Sequence, residues 1–287
     1  MANLKEIRAR ISSVGSTMQI TSAMKMVSAA KLKRAQDAIT QMRPYANKLR
    51  ELLVNLSSTL EGSDGGAFAQ EREEKKVLLV AITSNRGLCG AFNSNIIKKA
   101  KNLADSDYPD ADISFLTIGK KGSEFFAKNG FTVYSSRDNL YDELTFENTS
   151  VIAEDIMQNF LSGEFDKVIL VYNQFKNAAT QLVQVEQFLP VETPTEEDAT
   201  VGDYIFEPSK EEIVTDLIPK SLKIQLFKGV LDSHASEHGA RMTAMHKATD
   251  NAGELKKDLT LTYNKARQAA ITGEILEIVG GAEALNG

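Results

Sequence analysis

The sequence predicts a mixed α/β protein: a central Rossmann-like α/β domain with a mostly parallel sheet, and long N- and C-terminal helices that pair antiparallel. Three observations carry this. Heptad-spaced apolar residues run through both ends of the 287-residue chain. Between about Lys75 and Pro208, short apolar runs of strand length alternate with helical patterns. The two end segments are also too long for a compact domain, at roughly 85–90 Å and roughly 110 Å for a rise of about 1.5 Å per residue. One helix ends at the α/β domain and the other starts from it, so they lie side by side only antiparallel, and the longer projects past its partner. The expected division is 1–61, 62–208 and 209–287.

In the first segment Leu4, Ile11, Met18, Lys25, Leu32 and Ile39 recur every seven residues. Ile7, Val14, Thr21, Ser28, Ala35 and Met42 form the second row of the seam. The seam turns polar at Thr21, Lys25 and Ser28, which should weaken internal pairing. Pro44 removes a backbone donor and is expected to kink the helix or mark a joint. The pattern resumes through Leu49, Leu52, Leu53, Leu56 and Leu60 and stops at Gly62-Ser63-Asp64-Gly65-Gly66.

In the centre, strands are expected at Val77–Ile82, Ile113–Ile118, Phe131–Tyr134, Val168–Tyr172 and Gln181–Leu189. Helices are expected at Asn93–Ala104, Gly122–Asn129 and, capped by Ser150, up to Phe160. The acidic stretch Val191–Asp203 reads as an exposed loop. From about Ser209 to Ala284 the helical pattern returns. Met245, Ala252, Leu259, Ala266 and Gly273 make one row, and Ala248, Leu255, Thr262, Ala269 and Leu276 the other. The small residues let a partner helix approach closely.

Composition narrows the function classes. No apolar run of about 18 residues exists to span a bilayer, and the start MANLKEIRARI reads as helix rather than signal peptide. A single cysteine, Cys89, rules out an internal disulfide framework and suits a reducing compartment. The formal charge of −6 conceals an asymmetry: residues 1–50 hold ten basic side chains against two acidic ones, a net of +8, leaving −14 for the remainder. A basic end of this kind marks an interaction surface, for nucleic acid or for an acidic protein.

Few residues could carry chemistry. Thr83-Ser84-Asn85-Arg86-Gly87-Leu88-Cys89-Gly90 follows a strand and opens a helix, as phosphate-binding loops do, but its glycine spacing fits no nucleotide motif. A tight strand-to-helix turn is the better reading, and Gly119-Lys120-Lys121-Gly122-Ser123 is similarly incomplete. His234-Ala235-Ser236-Glu237-His238 matches a zinc-protease string, yet it lies within a long helix with no covered pocket. Ser22-Ala23-Met24-Lys25 fits a serine–lysine string without companions. The three histidines all lie in one helix, and no histidine is near Cys89, which reads as a packing residue.

The ends of the chain also resemble a known family. MANLKEIRARISSVGSTMQITSAMKMVSAAKLKRAQ, with Arg43-Pro44-Tyr45, is similar to the amino-terminal helix of the gamma subunit of F-type rotary ATP synthases. HASEHGARMTAMHKATDNAGELKKDLTLTYNKARQAAITGEILEIVGGAEAL is similar to its carboxyl-terminal helix, and SNRGLCGAFN matches between them. The resemblance covers essentially the whole chain, in order. It implies a left-handed antiparallel coiled coil turning inside a ring of alpha and beta subunits. The α/β domain would sit on the membrane c-ring beside the epsilon subunit. The chain would couple ion-driven c-ring rotation to the conformational cycle of the beta subunits. It implies no catalytic residue, cofactor, metal or nucleic acid for this chain, and a peripheral place on the cytoplasmic face of the bacterial plasma membrane. Lys25, Lys31, Lys33 and Arg34 would face an acidic beta-subunit lever segment, with Met24 at the same contact. Arg267, Gln268, Thr272 and Glu274 match positions that meet a beta-subunit loop, and Phe206 and Glu207 match the foot on the c-ring. The projecting tip, with Ile275, Leu276, Ile278, Val279 and Leu285, would need a sleeve of other subunits. With one cysteine, the redox switch of chloroplast-type relatives is excluded.

Overall fold

The computed structural model describes residues 4–56, 67–191 and 210–286. The elements run α1 (Leu4–Leu56), β1 (Lys76–Ile82), α2 (Phe92–Asn102), β2 (Asp112–Ile118), α3 (Lys120–Lys128), β3 (Thr132–Ser136), α4 (Phe146–Leu161), β4 (Lys167–Phe175), β5 (Gln181–Leu189) and α5 (Lys210–Asn286). By contacts the chain divides into two units, Met1–Ser28 with Met242–Gly287, and Ala29–Arg241. Both boundaries fall inside the long helices.

In the larger unit the sheet order is β3-β2-β1-β4-β5, with β3, β2, β1 and β4 parallel and β5 antiparallel at the edge. β1 sits at the centre and is buried along all but its first residue. Its apolar run therefore serves both faces, because side chains alternate along a strand. Leu78, Val80 and Ile82 point into a core closed by α4 (Ile152, Ile156, Phe160) and by α5 (Ile218, Leu222, Leu226, Val230). Val77, Leu79 and Ala81 point into the opposite core, closed by α2 (Ile96, Ala100) and α3 (Phe126). Phe115 and Phe126 stack there with centroids 4.0 Å apart. The result is three layers, with α5 itself one wall of the sheet. The start of this unit's α1 segment buries Leu32, Ala35 and Ile39.

One expectation changes. α4 starts earlier than Ser150: Thr145 is its cap, accepting from the Asn148 amide at 3.2 Å. Ser150 lies inside the helix, buried, its hydroxyl without a partner. α1 runs through Pro44 and is continuous to Leu56, and Pro219 likewise lies inside α5. The loop expected from Val191 to Asp203 falls, beyond Val191 itself, outside the described residues.

Gly119 shows how tightly the ends of β1 and β2 meet. Its φ is +104°, and a methyl there would stand 2.2 Å from the Thr83 carbonyl oxygen. Gly119→Ala should cost about 3 kcal/mol or more, combining strain with a backbone clash. Gly163→Ala, at φ +77° with nothing within 4 Å, should cost only about 1–2 kcal/mol. Urea denaturation of the two variants gives the comparison, and equal losses would contradict the contact.

Candidate interaction surface

Two regions could carry function: the carboxyl ends of the parallel strands, where α/β proteins bind ligands, and the paired helices. The strand ends are occupied by the protein itself. Ser84 N–H donates to Asn93 Oδ1 at 2.9 Å, and the Ser84 hydroxyl donates to the Arg86 carbonyl at 2.7 Å. At α3, the amide of Lys120 bonds Asn85 Oδ1 (3.0 Å), that of Lys121 the Ser84 carbonyl (3.1 Å), and that of Gly122 Thr83 Oγ1 (2.9 Å). These are the helix-start donors a phosphate would need. All three already end on protein oxygens.

Arg241 of α5 fills the other side of the turn. Its guanidinium donates to the carbonyls of Gly87 and Arg86 and pairs with Glu237 at 2.5 Å. Side-chain exposure is 9% for Arg241 and 11% for Glu237. The turn thus offers carbonyl oxygens to a cation rather than amides to an anion. Asn93 Nδ2 reaches Cys89 Sγ at 3.3 Å, and burial pushes the Cys89 thiol up, away from the nucleophilic thiolate.

The His-x-x-Glu-His string is divided in the same way. Glu237 turns to Arg241. His234 stacks on Tyr141, with centroids 5.8 Å apart, and its Nε2 lies 3.1 Å from His238 Nε2. Among the described residues, no group of three or more His, Cys, Asp or Glu could hold a metal ion. Burial, reinforced by Lys31, pushes His234 down to about 4. Burial, then His234, Lys31 and Arg241, pushes His238 down to about 3.

In the smaller unit α1 and α5 run antiparallel, since partners fall in number on one helix as they rise on the other. Arg8 meets Tyr263 (Nη2 to Oη, 3.2 Å), Met18 lies against Gly253, Thr21 bonds Thr249 (2.8 Å), and Lys25 Nζ lies 3.3 Å from His246 Nδ1. Two sequence expectations are corrected here. The second α5 row is not Ala248, Leu255, Thr262, Ala269 and Leu276, of which all but Ala248 are exposed. The residues that face α1 are Thr249, Lys256 and Tyr263, one position further on. The polar stretch of α1 is also not loose: Thr21 is 8% and Ser28 2% exposed, and each hydroxyl is bonded.

Of the residues singled out from sequence, Met24 and Lys25 are half-buried in the smaller unit, and Arg267, Gln268, Thr272 and Glu274 are exposed along α5. Lys31, Lys33 and Arg34 are exposed on α1 in the larger unit, with Lys33 tied to Asp37 at 2.8 Å. Phe206 and Glu207 lie outside the described residues, as does the side chain of Leu285. Sequence reasoning found the apolar tip but passed over the exposed apolar residues lower on the two helices. Ile20, Met26 and Val27 on α1 and Leu255 and Leu261 on α5 are each at least half exposed. The tip residues Ile275, Leu276, Ile278 and Val279 are 54–71% exposed. Such a surface calls for a partner.

The family profile described as ATP synthase matches residues 3–285. The ATP synthase gamma chain of Flavobacterium johnsoniae is 69% identical, covering all of both chains. The chain belongs to the ATP synthase gamma-chain family. The gamma chain of Cytophaga hutchinsonii is 54% identical, again over the full length of both. Among solved structures, the central stalk and c-ring of Tetrahymena thermophila mitochondrial ATP synthase holds a chain 26% identical, with TM-score 0.59 over 80% of this chain and 99% of that one. A chain in the OSCP/F1/c-ring structure of Euglena gracilis mitochondrial ATP synthase shares the fold, with TM-score 0.71 at 22% identity over 98% of this chain and 94% of that one. No helix of the gamma-chain family member described here is, among the described residues, long and apolar enough to cross a membrane.

The histidine pair predicts a pH dependence. Folded, both rings stay neutral, whereas unfolded they titrate near about 6.5. Their contribution is complete above that value and is lost as pH falls toward about 4 for His234 and about 3 for His238. Denaturant unfolding should show a loss on the order of 2 kcal/mol for each ring between about pH 7 and 5, and His234→Asn/His238→Asn should flatten that slope. An unchanged slope would mean the rings charge freely. A second prediction concerns the seam. Thr21→Val or Thr249→Val alone should cost about 1 kcal/mol, and the double substitution less than the two together, because either single change already removes the one bond the two hydroxyls share. A thermal double-mutant cycle reads this coupling.

Proposed function

We propose that this chain is the central rotor shaft of an F-type ATP synthase, coupling ion-driven c-ring rotation to the conformational cycle of the beta subunits. The observation that carries the reading is the exposed apolar surface on the paired helices, from Ile20 and Val27 to Ile275 and Val279. A surface of that kind fits a sleeve of other subunits rather than water. The family assignment and the likeness to the Tetrahymena thermophila central stalk support it.

The partners on this reading are the alpha and beta subunits around the shaft, the epsilon subunit beside the α/β domain, and the c-ring beneath. The chain is then a non-catalytic subunit, held peripherally at the cytoplasmic face of the bacterial plasma membrane through the complex. The filled strand ends support the non-catalytic role, since Arg241 and the Ser84–Asn93 network stand where a nucleotide would lie. Met24, Lys25, Lys31, Lys33 and Arg34 serve the lower beta contact, Arg267, Gln268, Thr272 and Glu274 the upper one, and Phe206 and Glu207 the c-ring. Segments 1–61, 62–208 and 209–287 act as first shaft helix, foot and second shaft helix.

The test is purification with the alpha and beta subunits as one ATPase that pumps ions when reconstituted. An ATPase that forms without this chain and still pumps would overturn the reading. Calorimetric titration of the chain with ATP should show no saturable tight binding. Met24→Lys should lower ion pumping per ATP hydrolysed more than it lowers assembly, and equal coupling in the variant complex would remove Met24 from the contact.

A further inference from the structure

Within the larger unit, α5 crosses the carboxyl edge of the sheet between two turns. On one side Arg241 holds the carbonyls of Arg86 and Gly87 after β1. On the other side lies the β4–β5 turn. Just before it, within β4, the Asn173 carbonyl accepts from the Ser236 hydroxyl at 3.0 Å, a bond buried at both ends. One turn further along α5 comes Gly239. A methyl at Gly239 would stand 3.1 Å from Ala178 Cα, 3.3 Å from the Ala178 carbonyl oxygen and 3.4 Å from the Phe175 ring. The helix backbone therefore rests on the backbone of the turn, with no side chain between them.

The turn is itself braced. Asn177 Oδ1 accepts from the amides of Ala179 (3.0 Å) and Thr180 (2.7 Å), and the backbones of Asn177 and Thr180 bond each other in both directions. Gly229, ten positions earlier on α5, is less tight: a methyl there would stand 3.6 Å from the Tyr172 ring, an ordinary contact. Glycine inside a helix is unfavourable unless something needs the missing side chain. At Gly239 the turn after β4 needs it.

We propose that the backbone contact of Gly239 with the Asn177–Thr180 turn is the fixed joint through which torsion passes between the sheet and α5. Side chains yield to torsion by changing rotamer, but two backbones in contact have no rotamer to change. Within three residues of Gly239, Arg241 ties the helix to the turn after β1 and Ser236 ties it to the end of β4, so α5 is held on both sides of the contact. The inference rests on the rotor reading and names the point in the chain where the foot grips the shaft.

The experiment uses the assembled complex in vesicles, measuring ATP hydrolysis and ATP-driven ion pumping together. In the Gly239→Cys/Ala178→Cys variant, closing a disulfide across the contact should leave both rates where they stand in the reduced variant, because a fixed joint does not open during turnover. Loss of both rates on oxidation, restored by a thiol reductant, would overturn the proposal. Gly239→Val should wedge the joint, lowering ions pumped per ATP several-fold in complexes that still hydrolyse ATP. A purely structural role would lower the yield of complex and leave that ratio alone, and an unchanged ratio also overturns the proposal. Should the valine variant fail to assemble, Gly239→Ala, which asks the turn to give by tenths of an ångström, takes its place with a smaller drop in the same ratio. The wild-type complex is the control that separates the two ideas. If it does not pump, the rotor reading fails. If it pumps while the variants show no effect on coupling, only the joint fails.

Discussion

A single helix of 77 residues has to satisfy three different surroundings, and α5 sets the terms for everything packed on it. From Ile218 to Val230 it is a wall of the hydrophobic core. From Asp232 to Arg241 nearly every side chain is buried, including five that are polar or charged besides Arg241 itself. From Met245 to Gly273 it keeps one covered stripe, and beyond Gly273 all described side chains are exposed. A helix cannot break between these zones without losing backbone hydrogen bonds, so the sequence changes character along one uninterrupted element.

The middle zone explains why an α/β sheet of this topology lacks a ligand crevice at its strand ends. Parallel strands leave a gap at their carboxyl edge, and turns there usually expose amides. In this chain Tyr141 donates to the Thr83 carbonyl at 2.9 Å, Asn85 to the Asp138 carbonyl at 2.7 Å, and Arg241 to Arg86 and Gly87. Burial takes the Tyr141 hydroxyl well above the usual phenol range, so it stays a neutral donor. Leu88 is held at φ 65° and is 67% exposed. Non-glycine residues seldom adopt that conformation unless their surroundings impose it. These carbonyls are thus tied to neighbouring elements of the same unit.

Much of this was legible in the sequence because period and burial agree. The runs Val77–Ile82 in β1 and Val168–Tyr172 in β4 carry no charged residue and are buried throughout, which marks them as central. The alternation read in β5 is not matched by its burial, which rises toward Phe188 and Leu189. The α1 seam was readable because its period and burial do agree. The α5 seam was not, because counting apolar residues favours Leu255 over Lys256. Across from them stands Gly15, whose missing side chain leaves room for a lysine stem, while Leu255 points to solvent. Pairing of Glu237 with Arg241 was hidden by the two histidines that flank the glutamate and suggested a metal instead. Thr145 lost to Ser150 as a cap because only the folded loop shows which amide each hydroxyl can reach.

Arg8 and Tyr263 meet although 255 residues separate them along the chain. Contacts at such a distance form last, after nearly everything between them has found its place. During synthesis α1 is made first and α5 last, so the Ile7–Thr21 stripe emerges long before anything arrives to cover it. In that stripe Gly15 and Thr21 interrupt Ile7, Ile11, Val14 and Met18, and an interrupted stripe attracts strangers less than an unbroken one of leucine would during that wait. The polar character of the early helix therefore protects the newborn chain as well as shaping the finished one.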